Sequence, residues 1–266
     1  MDLPPQLSPK GTDAGASSRS RGLAAPAAAH SVGSRCMDLI SYNVNAFPWI
    51  QCPIKDIVAW IVHTCSLTAL QEVWTNHAAW SAAFAAHGWV FLRPAREQHF
   101  ATLFGSGLAF AWNPTHWSLQ EARFYPFLAT SGLDIMLARG WFQAELMDST
   151  GRCVRIVNTH LQADVDVIEQ FTKRYSDVTR KQQARQLLTC LQKQTKQSKP
   201  TLIVGDFNTE QELLGPHFET DKKPTYPATE RTYDHCVGLG LALKSHHVFD
   251  DKTWSDHYPV LWIFNL

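Results

Sequence analysis

Short apolar runs alternate with longer segments of helical periodicity from residue 37 to the C-terminus. Apolar runs rich in β-branched and aromatic residues predict strands, and apolar residues three and four positions apart predict helices. The predicted strands are residues 37–44, 66–71, 89–92, 107–112, 140–148, 153–159, 200–204, 232–237 and 259–265. The predicted helices are residues 53–64, 77–87 and 177–194. This mixture predicts one large α/β domain over residues 37–266.

The first 36 residues differ in composition from the rest of the chain. They are rich in Pro, Ala, Ser and Gly and poor in large apolar side chains. Such a segment cannot bury enough apolar surface to offset the entropy lost on ordering. We therefore predict a disordered tail over residues 1–36. A second polar stretch, residues 209–231, is predicted to be a long loop, and long loops in compact domains are often functional.

The overall charge narrows the class of partner. Lys and Arg together number 24, Asp and Glu together also number 24, and the formal net charge is zero. A protein that binds nucleic acid without specificity is usually basic overall. The neutral balance therefore weighs against that class, although a local basic patch can still bind phosphates.

Cysteine usage and hydropathy bear on the compartment. The six cysteines form no CxxC and no Cys/His cluster at zinc-finger spacing, so we predict reduced, mostly buried thiols. No apolar run reaches the roughly 18 residues that a membrane span needs, and the N-terminus contains no signal-peptide core. We expect a monomer without a transmembrane segment, cytoplasmic or nuclear by default.

Five apolar strands end at polar residues that are able to bind a metal ion or a phosphate. They are residues 40–45, 70–73, 157–161, 203–208 and 254–259. Oxygen donors suit Mg²⁺, which binds through one or two carboxylates and keeps several waters, and paired His and Asp suit proton transfer. Each motif alone is weak, since Gly-Asp-Phe-Asn also favours a turn. The order and spacing of all five together make a chance occurrence improbable.

The ordered set resembles the endonuclease/exonuclease/phosphatase superfamily, which has the DNase I-like fold. The resemblance covers residues 37–266. It rests on SYNVN at 41–45, LQEV at 70–73, NTHL at 158–161, GDFN at 205–208, TYDH at 232–235 and SDHYPV at 255–260. It implies a four-layer α/β sandwich, in which two mostly antiparallel β-sheets pack together between helices. It also implies a metal-dependent phosphodiesterase that uses Mg²⁺, although Mn²⁺ satisfies the same donors.

The resemblance implies a metal site made of three motif residues. Glu72 would bind the Mg²⁺ ion, Asn43 would lie beside it, and Asp256 would support the metal side. Some nucleases of the superfamily carry Asp where this chain has Asn45. A neutral amide there weakens a second metal position, so we expect one principal Mg²⁺ ion.

The resemblance also implies five catalytic residues. Asp206 and Asn208 would face the attacking water and the scissile phosphate, and His160 would donate to a non-bridging phosphate oxygen. Asp234 would orient His257, which would act as general base or phosphate contact. Whether Asp206 or His257 accepts the proton of the water stays open.

Within the superfamily the sequence looks most similar to neutral sphingomyelinases. The similarity rests on LQEVW at 70–74, NTHLQAD at 158–164, SGLA at 106–109 and the pair Arg139-Gly140. It implies a phospholipid substrate and peripheral contact with a membrane. Trp49, with Phe47 and Ile50, could form an apolar rim that enters a bilayer, but we favour packing within the protein as the explanation of these residues.

Three alternatives remain at this point. A nuclease or DNA-repair phosphodiesterase is supported by residues 173–199, which contain eight Lys and Arg and one acidic residue, Asp177. We favour the solvated face of an amphipathic helix for that segment. A phosphomonoesterase acting on inositol phosphates is a further option within the fold. A non-catalytic binding member of the fold ranks low. Such a protein would be expected to lack one or more of four residues that are all present here, namely Glu72, Asp206, Asp256 and His257.

Overall fold

The computed structural model describes residues 36–95, 105–164, 169–195, 199–210 and 223–266. Within these ranges the chain forms eleven β-strands and three α-helices. In order they are β1 (Cys36–Asn43), α1 (Ile54–Thr64), β2 (Leu67–Gln71), α2 (His77–Ala85), β3 (Val90–Leu92), β4 (Ala109–Trp112), β5 (Trp117–Pro126), β6 (Gly140–Asp148), β7 (Cys153–His160), α3 (Glu169–Thr195), β8 (Thr201–Asp206), β9 (Asp234–Leu239), β10 (Ala242–Val248) and β11 (Val260–Asn265).

The strands form two sheets. The first has the order β10-β11-β1-β2-β4-β3, and the second has the order β5-β6-β7-β8-β9. The pairs β1–β2 and β7–β8 are parallel, and every other pair of neighbours in the two sheets is antiparallel. The prediction of two mostly antiparallel sheets is therefore confirmed.

Three apolar clusters join four layers. One cluster lies between the sheets, where the ring centroids of Phe110 and Phe142 are 5.2 Å apart. A second packs α1 and α2 against the outer face of the first sheet through residues such as Ile57 and Trp80. A third packs α3 against the outer face of the second sheet through residues such as Leu187. The predicted four-layer α/β sandwich is therefore confirmed.

A buried polar bridge crosses the interior between the two sheets. Asn158 on β7 donates through Nδ2 to the backbone oxygens of Leu70, at 2.8 Å, and Ala109, at 3.0 Å. Its Oδ1 accepts a hydrogen bond from Nε2 of Gln71 at 2.8 Å. Asn158 and Gln71 are fully buried. Because unpaired amides are costly in an apolar interior, this bridge strongly favours one register of β7 relative to β2 and β4.

The structure corrects several element boundaries. Cys36, predicted as the last residue of the tail, begins β1, and α3 begins at Glu169, well before residue 177. Strands β5 and β10 were not predicted. The predicted 209–231 loop contains a short 3₁₀ helix at Pro227–Thr229, and its residues 211–222 lie outside the described part of the chain. The predicted tail over residues 1–35 also lies outside it.

Loop packing explains the apolar residues near 47 only in part. Phe47 is partly buried and its ring contacts those of Trp49 and Trp74. Trp49 stacks on Phe47 but is 73% exposed, so core packing is wrong for it.

The solvated helix face predicted within residues 173–199 is present but does not include every basic residue. Lys181 and Arg185 are exposed, as that interpretation requires. Arg180 is instead buried and pairs with Asp164 at 2.9 Å and with Asp177.

Two further expectations concern the state of the cysteines and the presence of a membrane-spanning helix. All six cysteines have free thiols, as predicted, but only Cys65 and Cys236 are fully buried and the other four are partly exposed. Among the described residues, no helix combines the length and the hydropathy that a membrane span requires.

We predict that Asn158→Leu destabilises the protein, although leucine fits the apolar interior in size. The substitution removes the side-chain donor to two backbone oxygens and the 2.8 Å acceptor of the Gln71 amide, which keeps only its 3.3 Å bonds to Ser41 and Ala69. Each unsatisfied buried group costs about 1–3 kcal/mol. Urea unfolding followed by circular dichroism is expected to show a loss of at least about 2 kcal/mol. A loss within error of zero would show that the bridge does not hold the two sheets in register.

Candidate active site

The ends of three strands converge at one edge of the sandwich and bring two carboxylates together. Asn43 ends β1, Glu72 follows β2, and Asp206 ends β8 in the other sheet. Nδ2 of Asn43 donates to Oδ2 of Asp206 at 2.9 Å and to Oε1 of Glu72 at 3.2 Å. One amide group therefore links carboxylates that come from different sheets.

Two histidines face the same oxygen of Asp206. Nε2 of His160, at the end of β7, lies 3.4 Å from Oδ2 of Asp206, and Nε2 of His257 lies 3.5 Å from it. Nδ1 of His257 lies 2.9 Å from Oδ2 of Asp234, which fixes the orientation of that ring. Both nitrogens of His160 are buried without a hydrogen bond to any described residue. The predicted positions 43, 72, 160, 206, 234 and 257 thus form one cluster.

Burial makes the charged forms of both carboxylates unfavourable. It raises the pKa of Glu72 to about 7, although Arg139 and the amide of Asn43 act in the opposite direction. Burial also raises the pKa of Asp206, against the lowering effect of His257. A cation placed beside these carboxylates would therefore be bound favourably.

The two histidines have opposite charge preferences. Burial lowers the pKa of His160 well below its ordinary value, and the positive charges of Arg139 and His257 lower it further. Burial alone would also lower the pKa of His257, but the carboxylates of Asp234 and Asp206 outweigh it and raise that pKa. His160 is thus a neutral imidazole, and His257 is a cation held between two carboxylates.

The structure gives different surroundings to the two remaining predicted residues. The backbone N–H of Asn208 donates to Oδ1 of Asp206 at 2.8 Å, and its side chain donates to the Leu161 oxygen at 3.1 Å. Asp256 is exposed and accepts a hydrogen bond from Oγ of Ser255 at 3.1 Å. The charge of Asp256 contributes to raising the pKa of His257, but its carboxylate makes no hydrogen bond to Asn43, the residue that links Glu72 and Asp206, within the described structure.

Arg139 lies beside the cluster, and the sequence had suggested no role for it. Its guanidinium is 4% exposed, and it makes two hydrogen bonds to Asp134, at 2.9 and 3.0 Å. Its Cζ lies 6.0 Å from the centroid of the Trp74 ring. Its Nη1 has no hydrogen-bond partner in the described structure. The available sequence signal was the pair Arg139-Gly140, noted above for its similarity to sphingomyelinases, and the fold pairs Gly140 with His160 across β6 and β7.

Backbone strain is concentrated around this cluster. Three of the five non-glycine residues with positive φ in the described chain border it, namely Asn45 at 45°, Glu72 at 59° and Asn208 at 50°. Gly205, just before Asp206, has a φ of 146°, and a Cβ there would lie 1.9 Å from the Thr159 oxygen. Strain of this kind persists where surrounding contacts hold a functional geometry.

The donor set fits a hard cation that keeps most of its water. The described residues contain no group of three or more His, Cys, Asp and Glu side chains arranged to hold a metal. A site closed by protein ligands, as for structural zinc, is therefore not formed by these residues. Mg²⁺ needs only one or two carboxylates, and Glu72 supplies one. Asn43 presents its amide nitrogen, not its oxygen, to this position.

The chain belongs to the endonuclease/exonuclease/phosphatase family, whose model matches residues 40–257. Members of this family hydrolyse phosphoric diesters, and the chain is an enzyme of that class. Enzymes of the family generally depend on a divalent metal. A search of curated proteins finds no match.

Solved structures with a similar fold include proteins with different ligands. The crystal structure of SmcL is 17% identical, with a TM-score of 0.66, and the match covers 87% of this chain and 99% of SmcL. TDP2 from D. rerio, complexed with a single-strand DNA product, is 14% identical with a TM-score of 0.66, covering 87% and 99%. The human nocturnin catalytic domain with bound sulfate is 16% identical with a TM-score of 0.65, covering 86% and 94%. At such identities the similarity shows the fold alone.

Proposed function

We propose that the chain is a Mg²⁺-dependent phosphodiesterase that hydrolyses a phospholipid by attack of water on phosphorus. The observation that carries the proposal is the position of Asp206. This carboxylate faces two imidazoles and shares the amide of Asn43 with Glu72. The arrangement combines an acceptor for a proton, donors for phosphate oxygens and a carboxylate for a metal.

Glu72 is the residue that would hold the metal ion, with Asn43 beside it and Asp256 on the solvent side. Bound Mg²⁺ would supply positive charge that stabilises the phosphate oxygens in the transition state. The raised pKa of Glu72 supports this role, because burial leaves its carboxylate incompletely balanced by neighbouring charge. Asn45, which is neutral, supports a single principal Mg²⁺ ion.

The remaining residues would bind either the attacking water or the oxygens of the phosphate. Asp206, fixed through Oδ1 by the N–H of Asn208, would orient the attacking water and accept its proton. His257, oriented by Asp234, would donate from Nε2 to a phosphate oxygen. The neutral His160 has an uncommitted N–H for a second, non-bridging oxygen.

Arg139 would provide a further contact to the phosphate. Asp134 occupies Nε and Nη2 of its guanidinium, and Nη1 is left without a partner among the described residues. Arginine binds phosphate oxygens strongly because its donors are charged and fixed in a plane. The fork on Asp134 therefore supports Arg139 as an oriented phosphate ligand.

Lipid is favoured over nucleic acid by the distribution of charge. The basic segment that supported a nuclease loses Arg180 to buried ion pairs. A nucleic-acid surface needs Lys and Arg that remain free to contact successive phosphates. The similarity to a TDP2 structure that contains a single-strand DNA product keeps nuclease activity as the alternative that an experiment must address.

We expect phosphate-ester release from sphingomyelin vesicles in Mg²⁺, and no release in excess chelator. Plasmid and abasic-site oligonucleotide should stay intact at the same enzyme concentration. Phosphocholine release and gel electrophoresis measure the two activities. Nicking of plasmid at low enzyme, with intact lipid, would reverse the choice of substrate and leave the phosphodiesterase assignment in place.

We expect His257→Ala to lower turnover by about 10²–10³-fold, the usual cost of removing one donor to a developing oxyanion. Circular dichroism should remain that of a folded protein. The matched control is His63→Ala, since His63 is exposed in the last turn of α1 and its Nδ1 bonds only within that helix, to the Ala59 oxygen. Turnover close to wild type in the His257 variant would contradict the assignment.

We expect Glu72→Gln to raise the Mg²⁺ concentration for half-maximal rate by at least about tenfold, because a carboxylate ligand becomes a neutral amide. Binding of Mn²⁺, followed by electron paramagnetic resonance without substrate, should weaken in parallel. Glu121→Gln, a change at an exposed carboxylate on β5, is the control. Unchanged Mn²⁺ binding in the Glu72 variant would exclude Glu72 as a ligand.

A further inference from the structure

We propose that two loops beside the active site, neither of which exposes a charged side chain, form an apolar rim that docks on the surface of a neutral phospholipid bilayer. The loops are residues 45–53 and 127–138. The apolar rim consists of their exposed large apolar side chains, which are Trp49, Ile50, Leu128, Ile135 and Met136. The inference rests on the proposed function and deepens it, because it says how the enzyme reaches a substrate that is part of an aggregate.

Exposed apolar side chains are concentrated in these loops. Of the nine large apolar side chains that are exposed in the described residues, five belong to the apolar rim. Leu128 is 90% exposed, Trp49 is 73% exposed and Ile135 is 64% exposed. Scattered single residues of this kind are ordinary, but a concentration of them marks an interaction site.

A series of side-chain contacts at the active site links the two loops. From the first loop, Trp49 stacks on Phe47 at 4.9 Å, and Phe47 contacts Trp74 at 5.6 Å between ring centroids. Trp74 lies under the guanidinium of Arg139, whose partner Asp134 belongs to the second loop. Ile135 and Met136 follow Asp134 directly. The apolar rim is therefore continuous with the residues proposed to bind phosphate.

The absence of exposed charge on the two loops indicates which kind of surface the apolar rim binds. Residues 45–53 contain no charged side chain, and residues 127–138 contain only Asp134, which is 3% exposed and paired with Arg139. A nucleic acid would require exposed cations, and an anionic membrane would attract a basic patch. The interfacial region of a neutral bilayer, which accommodates tryptophan and aliphatic side chains without ionic contacts, is the surface that fits.

Flotation with vesicles of phosphatidylcholine and sphingomyelin tests the inference on the full chain. Excess chelator is present, so that binding is measured without turnover. We expect the wild type to float with the vesicles. We also expect tryptophan emission to shift to shorter wavelength in the wild type but not in Trp49→Ser, because Trp49 is the one exposed tryptophan among the ten. Adding phosphatidylserine or raising the salt to roughly 0.5 M should change the partition coefficient less than about twofold, because screening acts on charges.

The decisive variant is Trp49→Ser with Ile135→Ser. We expect it to partition at least about tenfold more weakly, because two apolar side chains no longer enter the bilayer. Leu119→Ser is the matched control. Leu119 is exposed to a similar degree as Ile50, but it pairs with Leu146, far along β6 from Gly140. Both variants should hydrolyse the soluble diester bis(p-nitrophenyl) phosphate at the wild-type rate, because neither touches the catalytic cluster.

Four outcomes would overturn the inference. The wild type could fail to float, the double variant could float as well as wild type, or binding could depend on anionic lipid and disappear in salt. Quenching of Trp49 by a single-stranded oligonucleotide, with no response to vesicles, would assign the apolar rim to base stacking instead. Because flotation does not measure hydrolysis, loss of lipid turnover would count against the proposed function and leave this test standing.

Discussion

The register between the two sheets at one edge of the sandwich is the constraint on which the site depends. Asn43 and Asp206 belong to different sheets, yet their side chains approach to 2.9 Å. Apolar packing between the sheets is non-directional and does not fix a separation at that level. The directional link is the buried amide pair of Asn158 and Gln71, which adjoins the site because Gln71 precedes Glu72 and Asn158 lies two residues before His160. Neutral amides suit this role, since they satisfy backbone oxygens without the desolvation penalty of buried ions.

That register has an electrostatic consequence. It concentrates the carboxylates of Glu72, Asp206 and Asp234 in a region that water reaches poorly, where like charges are costly. Two cationic groups offset them, since His257 lies between Asp206 and Asp234 and Arg139 lowers the pKa of Glu72. The balance is incomplete around Glu72, and a small divalent cation is the species whose charge and oxygen preference match the remainder. His257 and Arg139, which offset the charge of these carboxylates, are also the cationic groups that an incoming phosphate would meet.

The sequence predicted the parts of this protein that depend on local pattern. Strands that end in polar motifs recover most of the cluster, because the motif residues lie where strands stop and strand ends meet at sheet edges. The edge strands β5 and β10 were missed, since residues 118–121 and much of β10 face solvent and show no alternation. The role of Arg139 depends on the pairing of Gly140 with His160, a register that only the folded sheet creates. The exposure of Trp49 was not predicted either. It depends on which other segments pack against the loop, and the local sequence does not specify them.

The fold separates the chemistry from the choice of substrate. The proposed catalytic cluster lies on strand ends that the sandwich holds in place, and any phosphodiester that reached it would meet the same imidazoles and carboxylates. Discrimination must therefore come from groups around the phosphate, which here lie on loops. Trp74 couples the two regions, since its indole N–H donates to Oε2 of Glu72 at 3.4 Å while its ring contacts Phe47 and Arg139. A substrate held by the loops would thus press on the same side chain that borders the proposed metal ligand. Trp74 would thus connect the loops proposed to select the substrate with the residues proposed to bind its phosphate and the metal ion.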